Sequence, residues 1–148
     1  MKQWISWGAV VGWMGLIFFL SHQPGDQSGQ LSSGMTKQLI HIIQTLLPFI
    51  NLEMETLHFF IRKGAHFFSY FVLAILIYNA ILQSGWNKRL APVYAWSIAT
   101  VYAMTDEFHQ LFIPGRSGEV RDVVIDSAGS LLGVALVVSI LWMRKRLK

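Results

Sequence analysis

Apolar residues fall into long runs, and the short stretches between them hold most of the charged side chains. The first run, residues 4–20 (WISWGAVVGWMGLIFFL), is near the lower limit of roughly 17–25 residues for a membrane-crossing helix, with Trp4 and Trp7 placed for an interfacial belt. No small-x-small cleavage site follows it, so it reads as an uncleaved span rather than a signal peptide. Residues 21–34 (SHQPGDQSGQLSSG) are rich in Gly, Ser and Gln and are expected to link the elements without regular structure. From 35 to 50, apolar Met35, Leu39, Ile42, Ile43, Leu46 and Leu47 recur at helical spacing beside Lys37, Gln38, His41 and Gln44. That pattern predicts an amphipathic helix ended by Pro48. It would lie on the membrane surface, tuck against the other helices, or re-enter as a lid over a site.

Residues 54–82 predict one long helix, whose part from 67 to 82 is uniformly apolar. Arg62, His66 and Tyr70 form an i, i+4, i+8 stripe on it, and Lys63 reads as an interfacial anchor. A third span, 90–105, continues as helix to 112, with Pro92 suited to its first turn. The fourth, 123–143, carries Gly129 and Gly133 among small Ser127, Ala128 and Ser130, a pattern for close helix packing and a candidate homodimer face. The cationic RKRLK follows it, and no internal repeat is visible.

Composition turns these runs into membrane spans. A hydrophobic content of 53% and a mean hydropathy of +0.45 lie outside the soluble range for 148 residues. The reading is therefore a single domain, 1–148, of the all-α class: a polytopic membrane helical bundle with four transmembrane helices and an extra amphipathic helix in the first outer loop. The net charge of +4 comes from cations beside spans, so it indicates topology and no nucleic-acid partner. With no cysteine, disulfides, thiolate metal sites and cysteine nucleophiles are excluded. Four spans place Lys2, Lys88, Arg89, Arg144, Lys145, Arg146 and Lys148 on one side and Lys37, Arg62, Lys63, Arg116 and Arg121 on the other. The positive-inside rule then makes both termini cytoplasmic. All the acidic residues fall on the outward side or just within the membrane there.

Candidate chemistry concentrates in residues 102–133, YAMTDEFHQLFIPGRSGEVRDVVIDSAGSLLG. On a helix Asp106 shares a face with His109 and Gln110, next to Glu107. Asp122 and Asp126 share another beyond the Pro114-Gly115 turn and Arg116. Asp126 stands about one turn inside its span, where a carboxylate needs a cation, a metal or a proton. Three uses remain open for Arg62, His66, Tyr70, Asp106, Glu107, His109, Gln110, Arg116, Asp122 and Asp126. Arg62, Arg116 and the acids could lock the helices in a buried ion-pair network. The arginines and His66 could bind an anionic head group, such as a lipid-linked phosphate. His66, His109 and two aspartates could hold a divalent metal for hydrolysis, although no metal signature is present and no metal or cofactor is assigned.

The chain resembles the VanZ-like family of bacterial membrane proteins through FFLSHQPGDQSG, RKGAHFFSYFVLAIL and the 102–133 segment, in the family's order. The D-E-x-x-Q, Pro-Gly-Arg and D-x-x-x-D sequence is the specific part. The family pattern falls on Lys63, His66, Tyr70, Asp106, Glu107, His109, Gln110, Pro114, Arg116, Asp122, Asp126 and Gly129. The resemblance implies a bacterial cytoplasmic-membrane protein whose founding relative is linked to low-level resistance to teicoplanin, a glycopeptide with a fatty-acyl tail. Expected partners are membrane lipids and a lipidated glycopeptide or lipid-linked cell-wall precursor, met at the outer leaflet. On this reading Arg116 binds the anion and Asp106 holds Arg116 or a polar group of the ligand. Two other classes compete: an enzyme acting on a lipid phosphate or lipid-linked sugar with His66 or His109 as general base, and a proton-coupled transporter using Asp126.

Overall fold

The computed structural model describes residues 2–46 and 53–147, and the regular structure among them is entirely helical. In chain order the helices are α1 (Lys2–Ser21), α2 (Gly25–Leu46), α3 (Met54–Gln83), α4 (Ala91–Gln110) and α5 (Val120–Arg146). By length and composition α1, α3 and α5 are able to cross a membrane. The long α3 follows the expected 54–82 almost residue for residue, and Pro92 sits in the first turn of α4.

Residues 21–34 depart from expectation. Instead of a link without regular structure, the chain turns briefly after Ser21 and is helical from Gly25 onward. Tertiary contact offsets the poor helix propensity of its Gly and Ser residues, each glycine costing about 1 kcal/mol relative to alanine. The Gly25 amide donates to the Pro114 carbonyl at 3.0 Å, anchoring the start of α2 to the α4–α5 turn. Gly115 in that turn has φ +72°, the left-handed region, and its carbonyl lies where a Cβ on Gly25 would stand. Within α2 the hydroxyls of Ser32 and Thr36 donate to the carbonyls of Ser28 and Ser32, each at 2.7 Å, so these polar side chains satisfy themselves locally. The end of the expected 35–50 helix, Leu47 to Ile50 with Pro48, lies outside the described residues.

Helix α5 runs parallel to α3. Gly129 packs on the backbone of Phe67 and Gly133 on that of Phe71, so close that a Cβ on either glycine would collide with a carbonyl oxygen of α3. The small-residue face is thus occupied inside the chain. Helix α1 is antiparallel to α3: Trp7 donates to Ser84 at 3.0 Å, and Trp13 to the Ser69 carbonyl at 2.9 Å. Helix α4 packs against both α3 and α5, and its Tyr102 hydroxyl donates to the Met14 carbonyl of α1 at 2.7 Å. Fully buried Ala91, Ala95, Ala99 and Ala103 form the inward stripe of α4. Side chains this small bring α4 close to its neighbours. One end of the bundle consequently gathers the end of α1, the start of α2, the first half of α3, the end of α4 and the start of α5.

Replacing Gly133 by Val should force α5 away from α3 and cost about 1–3 kcal/mol, as for other overpacked sites. Gly12→Val on α1, where nothing lies within 4 Å of a Cβ, should be neutral. Thermal unfolding in detergent distinguishes them; equal losses would remove α3–α5 packing as the cause.

Candidate functional site

The buried stripes of three helices change character at that end. On α4 the alanine stripe continues into buried Asp106, Glu107 and Gln110. On α5 the stripe of Gly133, Ser130 and Gly129 leads back to buried Asp126 and Asp122. On α3 fully buried Tyr70 is followed towards the N-terminus by partly buried His66, Lys63 and Arg62. Helical periodicity therefore carries the residues of the packed seam and of the polar cluster on the same faces.

Parallel register sets the partners. Lys63 of α3 donates to both carboxylate oxygens of Asp122 and lies 3.9 Å from Glu119, with its own side chain only 13% exposed. One turn deeper, His66 Nδ1 is 3.8 Å from Asp126 Oδ2. Asp106 accepts from Ser21 Oγ at 2.8 Å and from Gln110 Nε2 at 3.4 Å. Gln110 Nε2 also reaches Glu107 at 3.2 Å, and the other oxygen of Glu107 accepts from the Glu119 amide at 3.0 Å. Among the described residues, no hydrogen-bond partner reaches either oxygen of Asp126, Oδ1 of Asp106, the Tyr70 hydroxyl or Arg62 Nε, all of them buried atoms. Ligating atoms of His66, Glu107 and Asp126 lie within 4.8 Å of one another, which makes these three the group able to hold a metal ion among the described residues.

Beside the cluster is a cavity of about 550 Å³ between α1, α2, α3 and the α4–α5 turn. Arg62, His66, Tyr70 and Arg116 supply the polar side of its wall, with Ser28 and Ser32 of α2, while Ile17, Leu20, Met35, Ile61 and Ala65 make it largely apolar. Arg116 is held by the end of α1, its Nε donating to the Gln23 carbonyl at 3.1 Å and its Nη2 to the Leu20 carbonyl at 3.0 Å. The Leu20 carbonyl is one that a helix end leaves without an internal partner, and Gln23 lies in the turn that follows. Burial pushes the Arg116 guanidinium below its usual value, and Arg62 pushes the same way, against the opposing Asp106 and Glu107. An arginine nevertheless stays charged, so two like charges share one cavity wall.

Several sequence expectations change here. Lys63, read as an interfacial anchor, is the cation of the one Lys–Asp pair among the described residues. The expected network of Arg62 and Arg116 with the carboxylates does not form among them: neither arginine makes an ion pair, and Arg116 is held by backbone carbonyls instead of Asp106. His109 joins neither Asp106 nor the His66 group. It faces α1, where its Nε2 lies 3.1 Å from His22 Nδ1 and both rings stack with Phe18. Ser21, His22 and Gln23 were missed because they lie in the stretch expected to be an irregular link. The Lys63–Asp122 pair has a signal only in hindsight: Lys63, His66, Phe67 and Phe71 match Asp122, Asp126, Gly129 and Gly133 if the two helices are set parallel.

A family model described as VanZ/LLP1 matches residues 6–143, which include every one of these side chains. No curated protein and no solved structure matches the chain.

Lys63→Met should strand Asp122, itself 5% exposed at its side chain, and destabilise the protein by about 3–5 kcal/mol. The pair replacement Lys63→Met with Asp122→Leu should recover most of that loss. Unfolding measured on the two single variants and the double variant tests the pair, and additive losses would deny the coupling.

Proposed function

The chain belongs to the VanZ/LLP1 family, and from that premise we propose that it binds an anionic amphiphile of the bacterial envelope in the cavity beside Arg62 and Arg116. The ligand is a lipidated glycopeptide of the teicoplanin type or a lipid-linked cell-wall precursor. One observation carries this reading: two arginines without ion pairs among the described residues share a wall with Ile17, Leu20, Met35, Ile61 and Ala65. An acyl chain matches the apolar part, and a phosphate or carboxylate matches a guanidinium fork. Arg116 is oriented for this by the two carbonyls it holds, while the buried Nε of Arg62 has no partner among the described residues. In this arrangement Asp106, Glu107 and Gln110 form a polar backing to the site, and α2 covers it.

Residues 1–148 act in this proposal as one domain of the cytoplasmic membrane with four spans, α4 joining α1, α3 and α5. Twenty residues at about 1.5 Å each give α4 roughly the 30 Å of a hydrocarbon core. Asp106 and Glu107, which lower its overall hydropathy, lie on its inward face, which neighbouring helices cover. Cations at Lys2, Lys88, Arg89 and Arg144–Arg146 support cytoplasmic termini and an outward cavity.

Expressed at equal membrane levels in a susceptible Gram-positive host, the wild type should raise the inhibitory concentration of teicoplanin and leave that of untailed vancomycin unchanged. Arg62→Gln and the cavity-filling Ala65→Phe should both return it to the level of the host alone. If the wild type alters neither response, or if both variants protect fully, the cavity does not act on the lipidated drug.

A further inference from the structure

We propose that His66, Glu107 and Asp126 form a binding site for one divalent cation of the Zn²⁺ or Mn²⁺ class. The inference goes beyond amphiphile binding and does not depend on it. The three residues come from α3, α4 and α5, and one ligating atom of each lies within 4.8 Å of the others. The 3.8 Å between His66 Nδ1 and Asp126 Oδ2 is too long for a hydrogen bond. It is shorter than two metal–ligand bonds laid end to end, about 4.0–4.3 Å, so one ion can touch both atoms where they stand.

A second observation points to a missing ligand. Asp126 is 0% exposed, and neither of its oxygens has a hydrogen-bond partner among the described residues. No nearby Lys or Arg pairs with it at salt-bridge distance among the described residues: Lys63 is engaged by Asp122 and Glu119, Arg116 by the carbonyls of Leu20 and Gln23, and Arg62 lines the cavity. A proton on Asp126 would remove one negative charge and leave that of Glu107 to be balanced. A divalent cation satisfies it and brings two carboxylates and a neutral imidazole to zero net charge, which is the condition for keeping them inside a membrane protein.

The donor set selects the ion. One imidazole nitrogen with carboxylate oxygens and no sulfur suits Zn²⁺ or Mn²⁺, whereas Ca²⁺ and Mg²⁺ favour all-oxygen shells. Glu107 is already oriented for ligation, one oxygen held by the Glu119 amide at 3.0 Å and the other by Gln110 at 3.2 Å. His66 also lines the cavity, which gives an ion a route in and open coordination positions facing whatever occupies the cavity.

The test uses the full chain in nanodiscs, stripped with chelator, loaded with Zn²⁺ or Mn²⁺ alone, passed through gel filtration and analysed for metal by mass spectrometry. Thermal unfolding is read with and without the ion. The wild type should retain a stoichiometric ion and unfold at higher temperature with it. Asp126→Asn, Glu107→Gln and His66→Gln should each bind roughly tenfold or more weakly and lose the thermal shift. Glu119→Gln, with an exposed carboxylate outside the group, should retain both. Absence of bound ion from the wild type, or equal binding by the wild type and Asp126→Asn, overturns the proposal. The wild-type measurement decides by itself even if a variant fails to fold, and no glycopeptide enters it, so its failure is separate from failure of the amphiphile reading.

Discussion

The close parallel contact of α5 with α3 at Gly129 and Gly133 sets the position of the charged groups at one end of the bundle. Backbone-to-backbone packing at the two glycines admits no sliding, because any side chain there would meet the carbonyls of Phe67 and Phe71. Extended outward along the same two helix faces, that register sets Asp126 beside His66 and Asp122 beside Lys63. The alanine stripe of α4 then brings Asp106 and Glu107 against both helices. Packing of small residues and placement of ionisable ones are thus two consequences of one geometry.

Charge is segregated within that geometry. The carboxylates of Asp106, Glu107 and Asp126 are buried among the helices, while Arg62 and Arg116 stand on the cavity wall. Because opposite charges in a poorly solvated interior attract strongly, direct pairing would be expected wherever reach allows it. Among the described residues only Lys63 achieves it with an aspartate. Arg116 is instead committed to the carbonyls of Leu20, in the last turn of α1, and of Gln23 just beyond it. The result is an interior short of cations next to a cavity that displays them, with His66 at the boundary.

Legibility in the sequence followed how local each cause was. The long α3 and the start of α4 at Pro92 were readable, since apolar periodicity and a proline in the first turn act within a few residues. Helix through 25–34 was not, because its Gly/Ser composition argues against it and the contacts that compensate come from Pro114 and Gly115, far along the chain. Lys63 looked like an anchor for the same reason: nothing near it in sequence announces Asp122. His109 and Gln110 were grouped with Asp106 on spacing, yet of the two only Gln110 bonds to it, since the His109 ring is drawn to Phe18 of α1 and to His22 just after it.

By itself the sequence determined that this is an all-helical membrane protein, where its apolar helices run, and which stretch concentrates the ionisable residues, because each of these depends on composition and on helical period. Tertiary structure alone decided which of those residues meet. Whether Arg116 serves an acid or a helix end, and whether Asp126 finds a partner, depends on the relative direction and separation of helices distant in the chain. Two glycines and four alanines set those quantities by letting backbones approach, and their effect on a side chain tens of residues away leaves no mark in its local sequence.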